Sequence, residues 1–308
     1  MTVDRPLLGI ALMLGFCVLA PFGDALAKLL GASVPLGFVL LIRFAVQALI
    51  LIPLVWYSGR AWRMQGRVLS LTCIRTVLHI IGIAAMFTGL KYIPLADAIA
   101  IVFVMPFLML LLGRYFLGEE VGPRRLIACT VGFIGVLLVI QPSFVSVGWP
   151  ALLPLGGAIS FSFFILTTRK IAKETDPIGL QAVSGVMATA VMLPALWIGS
   201  SLDLAPLMVI TPDSHDWTLL VGMGLIGTAV HLLMTWSLRY APSATLAPMQ
   251  YLEIPFAVVL GFAIFGDLPN QLATVGILIT MVAGIYVVLR ERATARLAAP
   301  KVFQQPAE

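Results

Sequence analysis

Leu90-Lys91-Tyr92-Ile93-Pro94 returns as Leu238-Arg239-Tyr240-Ala241-Pro242, 148 positions further along the chain. Three more pairs keep that spacing. Pro106-Phe107 returns as Pro255-Phe256 at 149, and Gly118-Glu119 as Gly266-Asp267 at 148. Gly135-Val136-Leu137-Leu138-Val139 returns as Gly284-Ile285-Tyr286-Val287-Val288 at 149. Each match is short, but four in one order at one spacing mark an internal duplication. A small insertion before the second match, compensated before the third, accounts for the wobble.

Composition says what is duplicated. The 308 residues are 60% apolar and 11% charged, with a mean hydropathy of +1.05. A soluble domain is about 45–50% apolar and about 25% charged. Too few polar residues remain to cover a water-facing surface. A soluble enzyme, a nucleic-acid binder and a disordered chain are therefore excluded for the chain as a whole. What remains is a polytopic protein whose surroundings are the lipid bilayer. The cysteines Cys17, Cys73 and Cys129 sit singly in apolar runs and read as small buried hydrophobes.

A helix needs about 20 mostly apolar residues to cross a bilayer. Ten such runs lie near 7–29, 36–57, 69–90, 95–116, 124–141, 148–168, 178–199, 217–238, 244–265 and 270–289. The short alternating segments of an outer-membrane barrel are not the pattern here. The expected fold class is an all-α integral membrane protein of ten transmembrane helices. The duplication divides it into a first five-helix repeat over 5–141 and a second over 148–290, with a polar cytoplasmic tail over 291–308. The first run is of spanning length, which argues against a cleaved signal peptide.

Lys and Arg in short loops resist translocation and so fix orientation. With the N-terminus inside, 15 of the 19 basic residues fall on the cytoplasmic side and only Lys28 and Lys91 outside. The long 200–216 connection, which carries Asp203, Asp213 and Asp216 and no Lys or Arg, is then external. Both termini are expected in the cytoplasm, and the net charge of +5 becomes a topology signal. Five spans per repeat is an odd number, so the second repeat enters with opposite orientation. Inverted repeats are a signature of secondary transporters, because two halves that exchange conformations give two states of similar energy.

At this point the chain resembles the ten-helix drug/metabolite transporter superfamily, EamA type. The residues that carry the resemblance are Leu41-Ile42-Arg43-Phe44, the run Leu90 to Glu120 with Pro106 and Gly118-Glu119, Ala244-Thr245-Leu246-Ala247-Pro248, Tyr251-Leu252-Glu253-Ile254-Pro255, and Gly266-Asp267. The resemblance covers about residues 5–290. Asp267 departs from the usual Glu of the family. The pattern Arg75-x-x-x-His79 with Pro94-Leu95-Ala96-Asp97-Ala98 is similar to a subgroup that includes riboflavin and S-adenosylmethionine uptake proteins. The resemblance implies a multi-pass inner-membrane transporter of a small organic solute.

Charges inside a span cost about 2.5–3.5 kcal/mol even on the lenient insertion scale, so those present line a cavity or pair with one another. Glu253 stands near the midplane between Pro248 and Pro255, prolines that free backbone carbonyls. With Gln250 and Tyr251 it is a candidate for substrate binding, and on its own for carrying a proton. The alternative is an interhelical pair with Arg43 or Arg75. Arg75 and His79 share a helix face and are candidates for holding an oxygen acid. Trp236 and Tyr251 are candidates for stacking on a flat ring. Asp97, Arg43 and His231 are candidates for proton coupling or gating, each against a packing or pairing role. Asp24 and Lys28, four apart, read as a pair at the outer rim. Phe161, Phe163 and Phe164 read as lipid-facing or packing residues. Glu119-Glu120 with Arg124-Arg125 read as a solvated loop.

No catalytic residue, metal cluster or cofactor motif is expected, and the chain has no Walker phosphate loop. The partners expected are a small-molecule substrate, lipid and protons as a coupling ion. The chain acts as a monomer or homodimer, with no nucleic acid. The reading is a secondary transporter working by alternating access. Its alternatives are an exporter of amino acids or toxic compounds and, from another class, a channel or intramembrane enzyme.

Overall fold

Asp176 and Asp213 show how local chemistry starts the helices. The Asp176 carboxylate accepts the Ile178 and Gly179 amides at 3.0 Å each, ahead of a helix that opens on Pro177. Asp213 accepts the Asp216 amide at 2.7 Å. Both satisfy orphan donors of a first turn. Gly118 and Gly266 close two others in the left-handed region, at φ 64° and 72°, where only glycine is unstrained.

The computed structural model describes residues 5–298, apart from the side chains of 96, 100, 125, 139–146, 248, 287–288, 291–292 and 294–298. Among the described residues the fold is all helical. The helices are α1 (Pro6–Leu30), α2 (Leu36–Tyr57), α3 (Gly66–Gly89), α4 (Leu95–Val102), α5 (Met105–Leu117) and α6 (Pro123–Val147). They continue as α7 (Leu153–Ile171), α8 (Pro177–Ser201), α9 (Ser214–Tyr240), α10 (Ser243–Leu246), α11 (Glu253–Leu260) and α12 (Gln271–Ala298).

Seven helical stretches are long and apolar enough to cross a bilayer, against the ten expected. The other three appear as shorter apolar stretches, Met105–Leu117, Leu126–Leu138 and Gln271–Tyr286. In the span near 95–116 the cause is visible. The chain turns at 103–104, just ahead of Pro106, and splits the span into α4 and α5. The span near 244–265 is interrupted in the same place of its own repeat. There α10 passes through a 3-10 turn, Ala247–Leu252, into α11 and then a π turn, Gly261–Phe265. Pro255, like Pro106, removes a backbone donor at the break.

The helices pair as α1 with α9, α3 with α7, α2 with α8, and α6 with α12. α5 packs on α7, and α11 on α1. Exchanging α1–α6 for α7–α12 in order maps these pairings onto themselves. Close approach depends on small residues. A Cβ on Gly135 would meet the Gly276 carbonyl at 2.6 Å, and one on Gly224 would meet Val46 at 2.6 Å.

Polarity is distributed inside out. Arg43, Arg75, His79, Gln181 and His231 are buried, whereas Leu49, Leu193, Val259 and Val282 are exposed. Trp56, Tyr57, Trp149 and Trp197 are exposed near helix ends, where aromatic rings suit a membrane interface. Cys17 and Cys129 are buried as expected, while Cys73 lies on the outer surface. Ion pairs tie the helix ends into two sets. Arg60–Asp176, Arg67–Glu174 and Arg169–Glu119 join the ends at which α2, α5 and α7 finish. Lys28–Asp267 and the Ser33–Asp216 hydrogen bond join the opposite set.

Candidate functional site

Three buried polar side chains and one half-buried carboxylate, Asp24, open onto one cavity. Asp24 comes from α1, Arg43 from α2, His231 from α9 and Glu253 from the first turn of α11. The remaining wall is apolar and soft, with Phe16, Phe87, Phe161, Met86, Met223 and Met234 among its residues. Its volume is about 100 Å³, small beside the roughly 300–1,000 Å³ of ordinary ligand pockets.

Gly227 makes room for the arginine: a Cβ there would stand 2.9 Å from Arg43 Nε. Arg43 Nη2 lies 3.0 Å from His231 Nδ1, which is also 2.9 Å from the Gly227 carbonyl. His231 Nε2 lies 2.8 Å from His79 Nε2. In a neutral pair, one ring must donate across that contact and the other accept. If Arg43 donates to His231 Nδ1, His231 donates to His79. If His231 Nδ1 donates to the Gly227 carbonyl, the direction reverses. Either way His79 Nδ1 has no partner among the described residues.

Behind His231, outside the cavity lining, lie His79 and Phe164. The Phe164 ring stacks on His79 with centroids 4.6 Å apart and lies 4.5 Å from the Arg75 guanidinium carbon. Arg75 is thus one helical turn from His79, on the face the sequence predicts, yet separated from the cavity by a ring. It donates from Nε to Thr168 Oγ1 at 2.8 Å and from Nη1 to Ser184 Oγ at 2.6 Å. Gln181 bridges nearby elements, donating to the His231 carbonyl at 3.0 Å and Thr235 Oγ1 at 2.7 Å.

Other candidates lie elsewhere. Tyr251 is buried against Phe103 and donates to the Cys129 carbonyl at 3.1 Å. Gln250, in the 3-10 turn, is buried with neither side-chain polar atom partnered among the described residues. Trp236 packs beside Leu51, Val55 and Ile178. Asp97 is half-buried in the first turn of α4. None of the four lines the cavity. Glu253 does, and no ion pair joins it to Arg43 or Arg75 among the described residues.

Of the phenylalanines read as lipid-facing or packing, Phe161 and Phe164 pack, because α7 turns them toward α3 and α9, and Phe163 is exposed. Two readings need correction. Lys28 pairs with Asp267 at 3.0 Å, so Asp24 is not a rim partner and faces the cavity instead. Glu119 is not in a solvated loop. It accepts the Ser243 amide at 3.1 Å, the Ser243 hydroxyl at 2.6 Å, the Ala244 amide at 2.9 Å and Arg169 Nε at 3.2 Å. A helix start and a guanidinium make a nearly buried carboxylate tolerable there.

A small, largely apolar cavity with a few polar groups in its wall, lined from both halves of the chain and set among apolar helices, fits a multi-pass membrane protein that handles small solutes. The chain belongs to the EamA-like transporter family, whose model matches residues 7–141 and again 148–290. A riboflavin transporter of Brucella anthropi is 26% identical over 83% of this chain and 89% of its own. An S-adenosylmethionine uptake transporter of Rickettsia felis is 24% identical over 93% of this chain and 94% of its own. A crystal structure at 18% identity matches with a TM-score of 0.67, over 93% of this chain and 98% of that one, which supports the fold alone.

Proposed function

We propose that the chain is a bacterial inner-membrane secondary transporter that takes up a small amphipathic organic metabolite by alternating access. In this reading it has ten spans, in inverted repeats over 5–141 and 148–290, with both termini cytoplasmic and a cytoplasmic tail over 291–308. The observation that carries the reading is one cavity lined by Asp24 and Arg43 of the first half and His231 and Glu253 of the second. The exchange symmetry of the helix pairs and the two successive family matches support the repeats.

One end is also more tightly shut than the other. The Glu119 and Arg169 side chains are 10% and 11% exposed, against 34% and 19% for Asp267 and Lys28, the pair at the corresponding turn of the second repeat. A Cβ on Gly113 would meet Glu119 and Ser243 atoms at 2.9 and 3.1 Å, while on Gly261 the nearest atom is 3.9 Å away. Equal backbone turns with unequal closure are what one state of an alternating pair would present. The Arg-rich end is the shut one, and by the charge bias it is cytoplasmic.

Protons are the proposed coupling ion, with Glu253 as carrier beside Asp24 and with Asp97 as the second candidate. One charge crossing 100 mV is worth about 2.3 kcal/mol, enough for a gradient of roughly fiftyfold. Riboflavin and S-adenosylmethionine are the solutes to try first, because the relatives' names give them. In proteoliposomes, at least one should show saturable counterflow. If folded protein exchanges neither, uptake of these solutes is contradicted.

A further inference from the structure

Arg75 is fully buried, yet its partners are two neutral hydroxyls. Its third nitrogen, Nη2, has no partner among the described residues, and no carboxylate there lies within ion-pair distance. The contrast with Arg169 is informative, because that guanidinium has Glu119. A buried guanidinium without a counter-ion is costly, and in membrane proteins such groups face a path that solute or water enters.

The surroundings fit that role. From the Phe164–His79–His231 layer toward the shut end runs a column of buried polar side chains: Arg75, Ser184, Thr168, Gln181, Thr235 and Gln47. They come from α2, α3, α7, α8 and α9; the ion pairs of that end hold α2, α3, α7 and α8, and Arg239 of α9 donates to the Thr175 carbonyl at 2.8 Å. Phe164 is the only ring the structure places against both His79 and Arg75 among the described residues. Its displacement would join Arg75 to the cavity.

We propose that Arg75 is an inner station of the translocation path, which receives an oxyanion of the solute, a carboxylate or a phosphate, once the Phe164–His79–His231 layer parts. The planar fork offers Nη1 and Nη2 side by side, the arrangement that matches two oxygens of one acid. The solute class is then an amphipathic metabolite bearing an oxyanion, whose apolar body suits the Phe- and Met-lined cavity above. The proposal rests on the alternating-access reading and names the substrate class of that path.

The test uses full-length protein in proteoliposomes, with Cys73→Ser removing the exposed thiol. Ser184→Cys and, separately, Thr168→Cys report beside Arg75. Each is treated from the cytoplasmic side with sulfonatoethyl methanethiosulfonate, an oxyanion, and with its trimethylammonium analogue, a cation. Rates are taken relative to a free thiol and above the parent without the added cysteine. The oxyanion should react at least tenfold faster than the cation. Arg75→Gln should abolish that preference and Arg75→Lys keep most of it. No reaction at either position, or equal rates for the two reagents, overturns the station. Counterflow of S-adenosylmethionine, which bears a carboxylate, on the same liposomes separates the two levels, and counterflow of riboflavin, which bears neither carboxylate nor phosphate, would overturn the oxyanion class. Counterflow without oxyanion preference rejects the station alone, and loss of both rejects the transport reading beneath it.

Discussion

At the scale of single residues, the polar groups divide between those that face the cavity and those that hold the path shut. Glu253 faces the cavity with no ion pair among the described residues, so the amide analogue is informative. Glu253→Gln should abolish pH-driven accumulation while leaving exchange between two loaded compartments. Full pH-driven uptake in that variant would transfer the coupling role to Asp97. Arg43 depends on the missing side chain of Gly227. Gly227→Ala puts a methyl 2.9 Å from Arg43 Nε and should displace it from His231, cutting transport at least tenfold at unchanged membrane levels. Wild-type rates would show that the Arg43–His231 contact is dispensable. Arg43, His79, His231 and Glu253 were legible in the sequence because a polar group in an apolar run stands out whatever the fold. Phe164 was not, since three phenylalanines within four positions look alike until α3 and α9 select which of them points inward. Gln250 and Tyr251 stood close to Glu253 in sequence but do not line the cavity, because the 3-10 turn that carries them departs from helical periodicity; Trp236, five residues after His231 on α9, falls on another face of that helix and packs beside Leu51, Val55 and Ile178.

At the scale of elements, the repeated turn after α5 and after α11 does different work at its two occurrences. Glu119 caps α10 and binds Arg169, while Asp267 holds Lys28 nearer the surface. Hydrogen bonds to charged groups are worth about 1.5–3 kcal/mol each, and about 1.4 kcal/mol is a tenfold change in an equilibrium. Glu119→Gln should therefore raise the reaction of Ser184→Cys with a cytoplasmic thiol reagent by tenfold or more. An unchanged rate would mean that the contact does not hold the gate. The spacing of the repeats located both turns correctly. It did not show that Glu119 is almost buried, because a charged pair after Gly in a short loop has the same composition whether water or a helix start surrounds it. In the second repeat Pro248 and Pro255 pointed to freed carbonyls, though the span near 244–265 read as one run. In the first, the 103–104 turn splits a span that hydropathy alone presents as continuous.

At the scale of the whole molecule, composition and repeat spacing were enough for an all-helical membrane fold, because both depend on sums over many residues. The ten spans, their orientation and the exchange of states depend on a bilayer and on motion. For orientation, a cysteine placed in the 200–216 connection should react with an impermeant reagent from the periplasm, and one at Arg63 should not. The reverse would invert the topology. The central claim is that the cavity opens alternately to the two sides, and Gly113 offers a lock. A Cβ there stands 3.1 Å from Ser243 Oγ, close to the separation that a disulfide spans. Gly113→Cys with Ser243→Cys should therefore cross-link α5 to α10 at the shut end. A reporter at Ile226→Cys, on the cavity wall, should react in the reduced protein with impermeant reagent from either side. After oxidation it should react only from the side of Asp267 and Lys28, with counterflow abolished, and reduction should restore both. Continued reaction from the Glu119 side in the cross-linked protein would contradict alternating access through this cavity.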